Sequence, residues 1–171
     1  MHKKYTKPLL LFFLILSSCI FEEPLRNTRR DYIGDNIRID GFYYSYFQGK
    51  IFNVLLLYRN GVFFDVSGDG KDRTKPEEVE ELLTEEHIKL VNSKKYDWGI
   101  FIVEGNSILF ETWRFTQRDH RAVFQSGEIL NDTTFHITKH NYSDGGIKDA
   151  NTLYYFYPYS PKPDSTNTFI N

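Results

Sequence analysis

Histidines, carboxylates and one thiol are the side chains from which this sequence could build chemistry. His136 and His140 stand four apart in a segment that reads as a strand. They share a face about 13 Å apart, at roughly 3.3 Å per residue, so they cannot chelate one ion by themselves. His87 and His120 fall elsewhere, in a helical stretch and a turn. From Asp65 to Asp72, oxygen donors occupy positions one, three and five and glycine position six, the pattern that opens a calcium loop. The twelfth position is Pro76, where a bidentate glutamate is needed, and a polar turn explains the same residues. Neither a metal nor another cofactor is expected. Glu104, Glu111, Asp119 and Glu128 are the carboxylates that could form an acid–base pair, provided two of them face each other. There is no Gly-x-Ser-x-Gly and no Walker-type loop, so nothing in the sequence supports an enzyme.

The single cysteine, Cys19, excludes an internal disulfide and a cysteine cluster for zinc. Its context says more. Lys3, Lys4 and Lys7 precede the uncharged apolar run Leu9 to Leu16. Eight residues are too few to span a bilayer, which takes roughly 20, but suit the core of an export signal. The stretch Leu16-Ser17-Ser18-Cys19 resembles the lipobox of bacterial lipoproteins, an aliphatic residue and two small ones before the cysteine. That resemblance implies cleavage after Ser18 and acylation of the Cys19 thiol. It also implies a cell-envelope location, at the outer membrane or cell surface. Ile20 carries no aspartate-type retention signal, and Glu22 and Glu23 loosely resemble acidic surface-export tags. A thiol used by the anchor is not free to act as a nucleophile.

Removing residues 1–18 takes away three lysines and no acid, so the formal charge moves from −2 to −5. No basic stripe follows, and nucleic acid is not an expected partner. Residues 19–35 read as the lipidated cysteine and a tether, residues 36–158 as one domain, and residues 159–171 as a flexible tail behind Pro158, Pro161 and Pro163. Aromatic residues make up 17% of the chain, a share that suits pleated, half-buried surfaces.

Alternation supplies eight strands, at 37–47, 51–59, 62–66, 98–104, 107–116, 122–130, 133–139 and 153–157. Asn60-Gly61 between two apolar runs signals a tight hairpin whose central residues both take positive φ. Pro76 opens one amphipathic helix over 76–92, with Val79, Leu82, Leu83, Ile88 and Val91 along its stripe. Short sequential links favour an antiparallel meander, and eight twisted strands tend to close on themselves. The expected fold is therefore mainly β, an eight-stranded up-and-down barrel or half-barrel with one inserted helix; a two-sheet sandwich is the alternative. In one strand Trp98 and Ile100 share a face opposite Phe101, and in the next Phe110 lies opposite Trp113.

The segments Gly41-Phe42-Tyr43, Leu55 to Gly61, Asp97 to Phe101 and Gly127 to Phe135 together resemble the lipocalin and calycin barrels, and the small lipocalin-like lipoproteins of Bacteroidetes. Tyr43 stands where those barrels place tryptophan, and the helix interrupts the strands instead of following them. The resemblance implies a barrel, and binding of a small apolar ligand by analogy. Tyr43, Tyr58, Trp98, Phe110, Trp113, Phe124 and Tyr155 are the aromatics that would line such a site. The other reading is a barrel filled by its own side chains that meets an envelope protein through exposed Tyr and Phe.

Overall fold

The computed structural model describes residues 21–66, 70–91, 94–115, 119–141 and 146–170. The signal segment and Cys19 lie outside these residues, as do Ser67, Gly68 and Asp69 of the calcium-like loop. Among the described residues no helix is long and apolar enough to cross a membrane.

A two-residue strand, β1 (Phe21–Glu22), precedes eight longer ones: β2 (Gly41–Phe47), β3 (Lys50–Leu57), β4 (Val62–Asp65), β5 (Trp98–Glu104), β6 (Ser107–Phe115), β7 (Asp119–Asn131), β8 (Thr134–Asn141) and β9 (Ile147–Pro158). From β2 to β9 each strand pairs antiparallel with the next, and β9 returns to β2 through Gly41↔Pro158, Tyr43↔Phe156 and Ser45↔Tyr154. The result is the closed eight-stranded antiparallel barrel that alternation and short links called for. Closure satisfies the backbone of both terminal strands, which an open sheet would leave exposed. The eight expected strands are all present; β7 and β9 begin earlier than their patterns suggested, at Asp119 and Ile147.

The barrel has two rims. The Asn60 rim carries the β3–β4, β5–β6 and β7–β8 turns; the Gln48 rim carries the β2–β3 turn and the connections into β5, β7 and β9. The Asn60 turn differs from the expected pair of positive φ values. Gly61 alone is left-handed, with φ 75°, and its N–H bonds to the carbonyl of Tyr58 at 3.0 Å. This is a longer turn closed by a left-handed glycine, another common hairpin solution. Two successive positive φ values occur instead at Gln48 (52°) and Gly49 (77°), between β2 and β3.

The expected single helix is broken in two. A 3-10 helix covers Pro76–Leu83, Thr84 is extended (ψ 148°), and α1 covers Glu85–Val91. Glu78 reaches back to the N–H groups of Thr74 and Lys75 at the first start, and the Thr84 hydroxyl faces the N–H of His87 at the second. Each piece thus has its own N-terminal acceptor. Val79, Leu82, Leu83 and Ile88 still land on one side and cover the outer face of the barrel over Phe42, Leu56, Phe64 and Trp98. Burial of that stripe holds the segment in place even where helical hydrogen bonding changes type.

Residues 159–170, expected to be a flexible tail, pack against the barrel instead. Lys162 donates from Nζ to the carbonyls of Ile39 (2.6 Å) and Leu57 and lies over the Tyr58 ring at 4.4 Å. Asn60 Nδ2 donates to Ser165 Oγ at 3.2 Å, and Ile170 is buried in the outer apolar cluster. The prolines end the strand without ending the packing.

Candidate functional site

Barrels of this kind put binding sites in the lumen, so its contents decide what the interior can do. Inward positions alternate along each strand, and bulky residues hold most of them: Tyr43, Leu57, Phe63, Phe101, Phe110 and Phe135 all belong to one buried cluster. Phe135 stacks on Tyr154 at 4.8 Å with planes 16° apart, and meets Tyr43 at 4.9 Å and Phe110 at 5.4 Å. Gly99 makes room for the Phe63 ring, since a Cβ there would lie 2.3 Å from it. Tyr32 packs on Phe101 and helps close the Asn60 rim. Its hydroxyl accepts the N–H of Ile37 at 2.9 Å.

Toward the Gln48 rim the lumen turns polar. Asn53, Asp65, Thr112, Gln125 and Tyr154 surround the space left there, about 40 Å³. Asn53 Nδ2 donates to Ser45 Oγ at 3.1 Å, and Thr112 Oγ1 donates to the Trp98 carbonyl at 2.6 Å. Burial pushes the Asp65 carboxyl up to about 7, and the charge of buried Asp97 adds to the shift. Burial, then the charge on Asp65, pushes the Tyr154 hydroxyl well above the usual tyrosine range. The sequence offered one signal for Asp65: β4 alternates, and Asp65 shares the inward face with Phe63. Asp97 carried none, because it precedes its strand in a short 3-10 turn (Lys95–Asp97).

The seven aromatics expected to line a ligand site do not come together. Tyr43 and Phe110 are inside the lumen cluster; Tyr58, Trp98 and Trp113 belong to the cluster on the outer face. Phe124 is half-buried outside, beneath the Arg26 guanidinium at 5.8 Å, and Tyr155 is 37% exposed. The reason is parity. Strand alternation sends neighbouring aromatics to opposite faces, and the helix and tail make both faces apolar. The buried Tyr58 hydroxyl has no hydrogen-bond partner among the described residues.

The four candidate carboxylates are also dispersed. Glu104 pairs with Arg30 at 3.3 Å, Glu128 lies 4.0 Å from the His136 ring, and the Asp119 side chain is outside the described set. His136 bonds to Asn151 at 2.8 Å. No group of three metal-ligating side chains occurs among the described residues. Glu111 is the exception in kind. Fully buried on the outer face of β6, its carboxylate accepts the N–H of Arg26 at 2.7 Å, the N–H of Asn27 at 2.9 Å and Asn27 Nδ2 at 2.8 Å. Trp113 Nε1 donates to the Glu23 carbonyl at 2.8 Å. The segment read as a tether is thus held along the barrel wall from Glu23 onward.

Outside, a strip of tyrosines runs across β2 and β9. Tyr44 opposes Tyr155 in the register, with rings 6.0 Å apart, and Tyr46 (43% exposed) meets Tyr44 edge-on at 5.5 Å. The roomier clefts are external too. One of about 580 Å³ lies between α1 and the tail at Lys162, and one of about 430 Å³ lies between residues 24–29 and Trp113. Burial pushes Lys162 down to about 8.

Compared with known proteins, the chain matches no protein-family model, no curated protein and no solved structure.

Proposed function

We propose that this chain is an exported, lipid-anchored, non-catalytic module that engages a protein partner at the cell envelope through its outer surface. The observation that carries this reading is the filled lumen. A small-molecule site inside the barrel needs roughly 300 Å³ or more, whereas the cavity at the polar end of the lumen, among the described residues, is about 40 Å³. The tyrosine strip of Tyr44, Tyr46 and Tyr155 supports an external surface, because tyrosine combines a large apolar area with a polar tip and loses little side-chain entropy on contact. The anchoring half of the proposal is supported by the order of basic start, apolar run, small pair and Cys19.

Native mass spectrometry of the protein extracted from cell membranes tests both halves. The expected species is the chain from Cys19 onward with acyl groups and no further small molecule. A retained apolar adduct would overturn the reading that the protein carries no small ligand. A photo-crosslinking side chain at Tyr155 should give one discrete protein adduct in cells, and the same group at Leu130 should not.

A further inference from the structure

We propose that the Gln48 rim of the barrel rests on the lipid bilayer, with Phe47 and Phe52 entering the headgroup layer. This rests on the anchored reading above and adds an orientation to it. β1 runs parallel to β7, with Phe21 opposite Asp119 and Glu22 opposite His120. β7 begins at the Gln48 rim and runs toward the Asn60 rim. The N-terminal end of β1, Phe21, is therefore at the Gln48 rim. Cys19 is two residues upstream, so its Cα is within about 8 Å of that of Phe21. Acyl chains on its sulfur bring this rim to the membrane and leave the Asn60 rim facing away.

The β2–β3 hairpin is on the far side of the same rim, with β2 three and β3 four strands from β7 around the barrel. Its tight turn at Gln48 and Gly49 carries Phe47 and Phe52, whose rings are 5.5 Å apart and whose exposures are 58% and 69%. Ile147, 63% exposed, opens β9 at the same rim. Single exposed apolar residues are common, but two aromatic rings exposed side by side form a contact patch, and aromatic rings favour the membrane–water interface. One lipid attachment on one side and an aromatic tip on the other hold the barrel upright at two points. This also leaves the Tyr44–Tyr155 strip on the barrel wall, open to a partner.

The test uses tryptophan as a depth reporter in the acylated protein, inserted into vesicles of phosphatidylethanolamine and phosphatidylglycerol with brominated acyl chains. Trp98 and Trp113 are buried and set the baseline. Phe52→Trp reports on the Gln48 rim. Ile33→Trp reports on the opposite side, since Ile33 is 93% exposed and its neighbour Tyr32 bonds to Arg59 beyond the end of β3. Both positions are exposed, so both variants should keep the wild-type thermal transition. Bromolipid should quench Phe52→Trp several-fold more than Ile33→Trp, and adding Phe47→Ser should reduce that quenching. Equal quenching at both positions, or none at 52, in protein whose intact mass shows acylation overturns the seating and leaves the anchor standing. An unmodified Cys19 in the extracted chain overturns the anchor and the seating together.

Discussion

The Glu111 carboxylate holds Asn27 twice, at its backbone N–H and at its side-chain amide, across 84 residues of sequence. One outward-facing acid on β6 thereby replaces the backbone partners that an extended N-terminal segment lacks. Glu111 is fully buried, and a buried carboxylate without donors is costly, so the carboxylate and the segment depend on each other.

Removing the acid should therefore cost more than removing the amide. Glu111→Ala strands the N–H groups of Arg26 and Asn27 and should lower stability by about 3 kcal/mol, whereas Asn27→Ala leaves the backbone bonds and should cost about 1 kcal/mol. Urea denaturation checks the difference. Limited proteolysis should also cut Glu111→Ala between Glu23 and Arg30 sooner than wild type.

Asp65 sets a pH dependence of known sign. Its folded value, about 7, lies above the unfolded one because burial and Asp97 disfavour the charge. Between roughly pH 4 and 7 the folded state keeps a proton that the unfolded chain releases, so this contribution to stability is complete below that window and is lost as pH rises through it. Asp65→Asn should flatten the slope and be more stable than wild type at pH 8 by about 1–3 kcal/mol. Denaturant midpoints of both proteins across that range check it; a wild type more stable than the variant at alkaline pH contradicts it.

Gly61 is held by two constraints. Its φ is 75°, and a Cβ at this position would lie 1.9 Å from the Arg30 carbonyl oxygen. Gly61→Ala must shift either the β3–β4 turn or the segment across it, at about 2–4 kcal/mol. Gly49→Ala shares the positive φ but has open space around it, so its loss should be the smaller one in a thermal melt.

Phe135 joins the aromatic stack of the lumen, touching Tyr43, Phe110 and Tyr154. Phe135→Ala should cost about 3–5 kcal/mol by leaving a cavity. It should also let a benzene-sized molecule bind inside and recover part of that loss, which calorimetry with and without the molecule would show. Wild type should take up none in the lumen, where the cavity of about 40 Å³ is too small for it.

Much of the barrel was legible because strand patterns are local. Period-two alternation, Asn-Gly and Gly-Asn turns and short links are written in neighbouring residues, and together they call for a closed meander. Residues 76–91 were legible as an amphipathic cover, since Val79, Leu82, Leu83 and Ile88 repeat on one side. The break at Thr84 was not, because competing N-terminal acceptors decide it after packing has fixed the stripe.

The sequence alone determined the eight strands and their antiparallel order, and it holds no local catalytic motif of the kinds sought. Only tertiary structure decided which aromatics face inward, that the charge of Asp97 reaches Asp65, that Glu111 clamps Arg26 and Asn27, and that β1 begins at the rim bearing Phe47 and Phe52. The physical reason is range. Alternation and turn chemistry act over a few residues, whereas burial, electrostatic coupling and rim identity arise between segments that meet only when β9 closes on β2.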